Sequence, residues 1–120
     1  RHTVRILLGK NPAGWQEALS MVDTAAGSVV IAVNGRVPDG EDLSWLWDVN
    51  FEHFVNHPVV AAGERGTDLA VRLGYAGVQH TLVHDTVKAI ESCPPGHVEV
   101  VANYTAFLEL NRALERSGRG

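Results

Sequence analysis

The sequence lacks the patterns on which several common protein classes depend. Its single cysteine, Cys93, cannot form a disulfide within the chain and has no neighbouring cysteine for a metal site. No apolar run approaches the roughly 18 residues of a membrane span, and no signal-peptide pattern is present. Lysine and arginine number 10 against 14 acidic residues, whereas a general nucleic-acid-binding protein needs a basic surface. These absences fit a protein of a reducing compartment that binds no nucleic acid.

Motifs for metal binding and for stand-alone catalysis are also missing. The sequence contains no H-E-x-x-H, no G-x-S-x-G and no G-x-x-x-x-G-K-[ST] phosphate loop. Two of its histidines, His53 and His57, are spaced to share a helix face, but no acid or cysteine is placed to complete a zinc site. We therefore expect surface histidines and no metal site. The six histidines are His2, His53, His57, His80, His84 and His97.

Apolar runs alternate with segments of helical periodicity along the 120 residues, of which 45% are apolar. This alternation predicts an α/β fold in one domain, residues 1–120, with a mostly parallel sheet of about five to six strands and helices on both faces. The chain starts inside a strand-like run without a methionine, so we expect it to be a domain of a longer protein. The predicted strands are Val4–Gly9, Ser28–Asn34, Pro58–Gly63, His80–His84 and His97–Asn103, and the helices are Pro12–Val22, Thr67–Val78, Asp85–Cys93 and Tyr104–Arg116.

Polar residues follow each predicted strand, where ligands bind in open α/β sheets. After the first strand, "GKNP" places Lys10 and Asn11 before Pro12, which suits the first turn of a helix. Lys10 and the free N–H groups of the helix start could bind an anion. A solvated strand-to-helix turn explains the same residues. In "GERG", Arg65 is open to the same two interpretations.

The stretch from Val37 to Phe54, "VPDGEDLSWLWDVNFEHF", combines two tryptophans, two phenylalanines and five acidic residues. Its start, Pro38–Gly40, is typical of a turn, and Asp42 or Ser44 could cap the helical pattern that follows. That pattern predicts an amphipathic helix with one face lined by Leu43, Leu46, Trp47 and Phe51 or Phe54, and with Trp45 partly on another. An alternative is that the loop presents a carboxylate at the sheet edge while the aromatic side chains anchor it or contact a partner.

Four segments in order, "LLGKNPAGWQEAL", "AVNGRVPDGEDLSWLWDVNFE", "GERGTDLAVRLGYAGV" and "NYTAFLEL", resemble the C-terminal domain of the MurT family. MurT is the Mur-ligase-like subunit of lipid II isoglutaminyl synthase. The resemblance extends over nearly the whole chain, and its most specific part is the D-G-x-D-x-S-W-x-x-D-x-x-F-E run. Lys10-Asn11-Pro12 takes the place of an H-N-P-type turn found in the wider Mur ligase and folylpolyglutamate synthase group.

The resemblance implies a Rossmann-like fold of the Mur ligase C-terminal type and a role in an ATP-dependent ligase. ATP with Mg²⁺ would be bound mainly by a central domain that this sequence does not contain, so the isolated domain is expected to be inactive. The partners implied are a GatD-like glutaminase subunit, which releases ammonia from glutamine, and the substrate lipid II. The implied location is the cytoplasm, at the inner face of the membrane.

The resemblance also assigns roles to three residues. Asp42 matches the aspartate that completes the Cys–His pair of the glutaminase, while Lys10 and Asn11 would contact the nucleotide. Asp39 is better explained as a turn residue and Asp48 as a residue with a local role. Two other functions remain open: a non-catalytic protein-interaction domain, and the C-terminal domain of a Mur- or folylpolyglutamate-type amino-acid ligase.

Overall fold

The part of the chain that the structure describes forms five strands, four α-helices and two short 3₁₀ helices. The structure, a computed structural model, describes residues 2–25, 27–35 and 42–116. None of the helices in these ranges has the length and apolar character needed to span a bilayer. In chain order the elements are β1 (His2–Leu8), α1 (Pro12–Ser20), β2 (Gly27–Ala32), the first 3₁₀ helix (Ser44–Asp48), the second 3₁₀ helix (Phe51–Phe54), β3 (Val59–Ala62), α2 (Gly66–Tyr75), β4 (His80–Leu82), α3 (Thr86–Glu91), β5 (Gly96–Ala102) and α4 (Tyr104–Arg116).

The strands form one sheet in the order β1-β5-β2-β3-β4, and all of their pairings are parallel. The last strand, β5, lies between β1 and β2, with Val100 opposite Ile6 on one side and Val30 on the other. Central strands covered on both faces need a continuous apolar run. The runs "VVIA" in β2 and "VEVVA" in β5 supply it, interrupted only by Glu99.

Helices cover both faces of the sheet, as the alternation predicts. On one face, α1, α2 and the two 3₁₀ helices pack on a core that includes Trp15, Ile31 and Leu69. On the other, α3 and α4 pack on a core that includes Ile90 and Leu110. The predicted α/β class and the five strands are confirmed, and no strand or helix end differs from its prediction by more than three residues.

The predicted amphipathic helix after Asp42 is wrong, because two 3₁₀ helices take its place. In an α-helix the carbonyl of Leu46 would accept from the N–H of Asn50. Here that carbonyl accepts from Nε of Arg72 at 2.9 Å, while Asn50 N–H donates to Oε1 of Gln16 at 2.7 Å. Leu46, Phe51 and Phe54 are buried as predicted, but Trp47 is 52% exposed. The predicted turn at Pro38–Gly40 lies outside the described residues.

The end of α2 follows the prediction that Gly77 can cap it. Gly77 has a φ of +75°, in the left-handed region that glycine adopts without strain. The N–H groups of Gly77 and Val78 donate to the carbonyls of Gly74 and Leu73 at 3.1 and 3.0 Å. This is a Schellman arrangement, which satisfies the last carbonyls of the helix and turns the chain into β4.

Candidate functional site

The carboxyl ends of the parallel strands meet at one edge of the sheet, where two buried asparagines join β2 to β5. The backbone N–H of Asn34 donates to Oδ1 of Asn103 at 3.1 Å, and Nδ2 of Asn103 donates to the carbonyl of Asn34 at 2.7 Å. An amide side chain suits this place because it satisfies one backbone donor and one backbone acceptor at once. The pair holds the two central strand ends together.

The side chain of Asn34 extends this connection to two further elements. Its Nδ2 donates to Oε1 of Glu109 on α4 at 2.8 Å, and its Oδ1 accepts from the N–H of Glu64, after β3, at 2.9 Å. Buried polar groups with all their partners rigidify a site. Asn34 therefore fixes the point at which the segment leading to Asp42 leaves the sheet.

Lys10 and Asn11 form the turn between β1 and α1, as predicted. The N–H of Gly9 donates to the carbonyl of Ala102 at 2.9 Å, which fixes the start of the turn against β5. Asn11 is the N-cap of α1, and its Oδ1 accepts from the N–H of Gly14 at 2.8 Å. Lys10 is exposed. The turn thus presents an ammonium group and the amide group of Asn11 beside the N-terminus of a helix.

Asp42 is exposed and is held by its own chain. Its Oδ1 accepts from the N–H of Ser44 at 2.9 Å, an Asx-type contact that orders the entry to the first 3₁₀ helix. Hydrogen bonds from the backbone and the hydroxyl of Ser44 lower the pKa of Asp42 below its ordinary value. The carboxylate is therefore ionised at neutral pH and open to an approaching group. The prediction that Asp42 or Ser44 caps the following helix is wrong: the N-cap of the first 3₁₀ helix is Leu43, without a side-chain cap, and Asp42 makes the Asx contact before it.

Two tryptophans connect the Lys10–Asn11 turn to the segment that follows Asp42. Trp15, in the first turns of α1, is buried, and its ring centroid lies 5.2 Å from that of Trp45 at an interplanar angle of 30°. A side chain at Gly9 would collide with the indole ring of Trp15. The two segments are therefore packed together, although no hydrogen bond among the described residues joins Lys10, Asn11 or Asp42 to one another.

Arg72, which the sequence pattern did not single out, organises the chain after Asp42. Its guanidinium is buried and donates to the carbonyls of Leu46 and Val49 at 2.9 and 2.8 Å. It pairs with Glu52 at 3.1 Å, which lowers the pKa of that carboxyl. The rings of Trp47 and Phe51 lie 5.2 and 5.4 Å from its central carbon. The one feature of the sequence that indicates burial of the Arg72 side chain is its position next to Leu73, on the apolar side of α2.

Other candidate residues have local partners. Nε of Arg65 donates to Oδ2 of Asp68 at 2.9 Å, one turn further along the chain. His53 packs edge-on against Phe54. No group of three or more histidine, cysteine or acidic side chains within the described ranges is arranged to hold a metal ion. Cys93 is buried, and this burial raises the pKa of its thiol, so it is protonated at neutral pH.

An open cleft of about 570 Å³ lies at the same sheet edge, on the α3–α4 face. Its lining contains none of Lys10, Asn11 and Asp42, and Asn34 contacts it through the hydrogen bond to Glu109. The residues that line it are Gly63, Glu64, His84, Asp85, Thr86, Val87, Glu109, Leu110, Arg112, Ala113 and Arg116.

Comparisons with known proteins agree with the sequence motifs. The family model described as MurT ligase C-terminal matches residues 8–107. The MurT subunit of lipid II isoglutaminyl synthase (glutamine-hydrolyzing) from Streptococcus pneumoniae is 32% identical over 120 residues, which cover 91% of this chain and 27% of that protein. The corresponding subunit from Staphylococcus aureus is 31% identical over 129 residues, covering 100% and 30%. This chain thus spans less than a third of the length of these relatives.

Proposed function

This chain belongs to the MurT ligase C-terminal family, and from that membership we propose that it is the C-terminal domain of the ligase subunit of a lipid II isoglutaminyl synthase. The complete subunit uses ATP with Mg²⁺ to convert the α-carboxyl of the D-glutamate of lipid II into an acyl phosphate. Ammonia then attacks the acyl carbon, phosphate leaves, and D-isoglutamine is formed. The match over residues 8–107 carries this proposal.

In this function Asp42 completes the catalytic group of a separate glutaminase subunit. The carboxylate accepts a hydrogen bond from the partner's histidine, fixes the imidazole tautomer and stabilises the imidazolium that forms when the cysteine attacks glutamine. Three features of Asp42 support this role: it is exposed, its pKa is lowered, and Ser44 fixes its orientation. Each is needed by a carboxylate that must meet a group on another protein.

Lys10 and Asn11 are suited to contact the phosphates of ATP. The exposed ammonium of Lys10 lies beside the N-terminus of α1, where backbone N–H groups and the helix dipole favour an anion. Since the chain has no phosphate loop, these residues add contacts to a nucleotide held mainly by the rest of the subunit. The nucleotide itself supplies the phosphoryl group that activates the carboxyl.

The proposal places the work of this domain in the cytoplasm, at the inner face of the membrane, where the headgroup of lipid II is modified. Its partner is the glutaminase subunit. A non-catalytic interaction domain is the second candidate, which the exposed aromatic side chain of Trp47 favours. An amino-acid ligase of the Mur or folylpolyglutamate type would need no glutaminase, so an assay of glutamine-dependent amidation separates it from the proposal.

The test is the substitution Asp42→Asn in the full-length subunit, assembled with its glutaminase. Asparagine can still accept the hydrogen bond from Ser44 but lacks the charge that stabilises an imidazolium. Loss of a triad carboxylate lowers kcat by about 10⁴-fold, or about 5.4 kcal/mol of transition-state stabilisation. Loss of a local side-chain hydrogen bond such as the one from Ser44 costs only about 0.5–1.5 kcal/mol of stability. We expect glutamine hydrolysis to fall by orders of magnitude, with amidation from added ammonia retained.

The control is Asp48→Asn, six residues further along, where the residue is also exposed. It should leave glutamine hydrolysis unchanged. Hydrolysis by Asp42→Asn at a wild-type rate would rule out the role of Asp42 in the partner's active site, and loss of hydrolysis in Asp48→Asn would assign that role to Asp48 instead.

A further inference from the structure

The side chain of Arg72, on α2, closes the end of the first 3₁₀ helix. It is only 6% exposed, and its Nε donates to the carbonyl of Leu46 at 2.9 Å. Its Nη2 donates to the carbonyl of Val49 at 2.8 Å and to Oε1 of Glu52 at 3.1 Å. The last carbonyls of a helix have no partner within it, and here one guanidinium supplies partners for the chain at and beyond the helix end.

A continuous series of hydrogen bonds leads from Arg72 to Asp42. The carbonyl of Leu46 accepts from Arg72, and the N–H of Leu46 donates to the carbonyl of Leu43 at 3.0 Å. That carbonyl belongs to the same peptide group as the N–H of Ser44, which donates to Oδ1 of Asp42 at 2.9 Å. Because a peptide group is planar, the hydrogen bond that fixes its C=O also fixes the direction of its N–H.

Stability alone does not require an arginine at this position. Removing a guanidinium from water is costly, and a buried ion pair can often be replaced by apolar side chains of similar volume without loss of stability. An apolar side chain next to Leu73 could not donate to two backbone carbonyls, and a lysine lacks the rigid fork of donors that reaches both. What Arg72 supplies is therefore a fixed geometry for the segment that follows Asp42.

On the premise of the proposed function, we propose that Arg72 is a positioning residue for Asp42. Its guanidinium holds the end of the first 3₁₀ helix, which fixes the peptide group between Leu43 and Ser44 and, through it, the direction of the Asp42 carboxylate. A carboxylate that must meet a histidine of another protein benefits from an orientation that is set before the two proteins meet. A displacement of about 1 Å at a catalytic group can lower a rate by about 10²-fold.

The test is Arg72→Lys in the full-length ligase subunit, assayed at saturating glutaminase. We expect the kcat for glutamine hydrolysis to fall by about ten- to a hundredfold. The KM for glutamine and the rate of amidation from added ammonia should stay close to wild type, because Asp42 acts only in the hydrolysis of glutamine.

A double-mutant cycle shows whether Arg72 acts through Asp42. In the Asp42→Asn background, Arg72→Lys should cause no further loss of glutamine hydrolysis, since no carboxylate remains to be positioned. Residues that act independently would instead give effects that multiply.

Hydrogen exchange of the ligase subunit alone tests the same contact without the glutaminase. Arg72→Lys should increase the exchange rate of the Ser44 amide, which is bonded to Asp42. The amide of Gly9, bonded to the carbonyl of Ala102 at the end of β1, should exchange as in the wild type. If Asp42→Asn hydrolysed glutamine at the wild-type rate, the proposed function of Asp42 would fail, but the exchange rate of Ser44 would still decide whether Arg72 holds it.

Arg5→Lys is the matched control. Arg5 also donates to a backbone carbonyl, that of Met21 at 2.7 Å, and to a carboxylate, that of Glu99 at 2.8 Å, but it lies on β1. This variant should lower the melting temperature of the subunit and leave the kcat for glutamine hydrolysis unchanged.

Glu52→Gln is the second variant, which decides the question if Arg72→Lys does not fold. The side chain of Glu52 is 52% exposed, so the substitution is compatible with the fold, but it removes the charge that holds the guanidinium. It should lower the kcat for glutamine hydrolysis by a smaller factor than Arg72→Lys, and only when Asp42 is present.

Four results would overturn the proposal. The first is a wild-type kcat for glutamine hydrolysis in Arg72→Lys, or in Glu52→Gln where Arg72→Lys is unfolded. The second is a loss of hydrolysis that multiplies with that of Asp42→Asn. The third is an equal loss of amidation from ammonia, which would mean that Arg72 only stabilises the domain. The fourth is an exchange rate of the Ser44 amide as slow as in the wild type.

Discussion

At the residue scale, Asn11 combines a structural role that is visible in its contacts with a proposed role at the nucleotide. Its Oδ1 caps α1 through the N–H of Gly14, and Asn11→Ala should therefore lower the free energy of unfolding by about 1 kcal/mol. Asn11→Asp should retain the cap, since aspartate accepts the same hydrogen bond. If phosphates approach this turn, however, the added negative charge should raise the KM for ATP in the assembled enzyme.

Steady-state amidation at varied ATP and urea unfolding measure the two effects separately. Lys10→Ala is the companion variant, because it removes the cation without touching the cap and should also raise the KM for ATP. Lys88→Ala, an exposed lysine on α3, serves as the control. If the KM for ATP were unchanged in both Asn11→Asp and Lys10→Ala, the two residues would have no role in nucleotide binding. They would then form only a capped, solvated turn.

The sequence singled out Lys10 and Asn11 because they directly follow a predicted strand, and Asp42 because the loop after the second strand matches the D-G-x-D-x-S-W run of the family. Both are local properties of the sequence. It could not indicate Arg72, whose partners lie 20 to 26 residues away in the chain. The pairing of Asn34 with Asn103 spans 69 residues and depends on the position of β5 beside β2. Long-range polar contacts of this kind leave no periodic signal in the sequence.

At the scale of elements, we expect the contact between α1 and the first 3₁₀ helix to determine how firmly Asp42 is held. Trp45 stacks on the buried Trp15, so Trp45→Ala should lower the free energy of unfolding by about 1–3 kcal/mol. It should also increase the amide exchange rate of Ser44, whose N–H is bonded to Asp42. Trp45→Phe, which keeps a ring against Trp15, should show a smaller change in both.

Hydrogen exchange followed by NMR and chemical unfolding measure this prediction. The exchange rate of Gly77, in the turn after α2, is an internal reference that the substitution should not alter. If Trp45→Ala left the Ser44 amide as slow as in the wild type, the Asx contact alone would hold Asp42, and the tryptophan pair would be a packing feature only.

The type and order of the elements follow from local patterns, with one exception. Continuous β-branched runs and helical spacing were sufficient for five strands and four α-helices, since these patterns repeat within each segment. The 3₁₀ helices were mistaken for one α-helix because their apolar spacing is similar. What breaks the α-helix is external: Arg72 and Gln16 occupy the carbonyl of Leu46 and the N–H of Asn50.

At the scale of the whole molecule, Glu99 connects the stability of the domain to pH. It lies in β5, within the sheet, and its side chain is fully buried. Its carboxylate accepts from Nε of Arg5 at 2.8 Å and from the N–H of Asp23 at 2.9 Å. The hydrogen bonds from Arg5 are the main cause that lowers its pKa from 4.5 to about 2, against the opposing effect of burial.

The pKa of Glu99 is lower in the folded than in the unfolded chain, so the ionised carboxylate stabilises the fold. This stabilisation is complete above pH 4.5 and is lost as the pH falls towards 2. This contribution is no more than about 3 kcal/mol, and solvent screening reduces it further because Arg5 is half exposed.

Urea unfolding at pH 7, 5, 4 and 3 should therefore show that the free energy of unfolding of the wild type falls in the acid range. Glu99→Gln should be less stable at pH 7, and its free energy of unfolding should depend less on pH. Glu91→Gln, an exposed acid on α3, is the control that should follow the wild-type curve. If the free energy of unfolding of Glu99→Gln changed with pH in parallel with that of the wild type, other carboxyl groups would govern acid unfolding. The ion pair of Glu99 with Arg5 would then contribute little to stability.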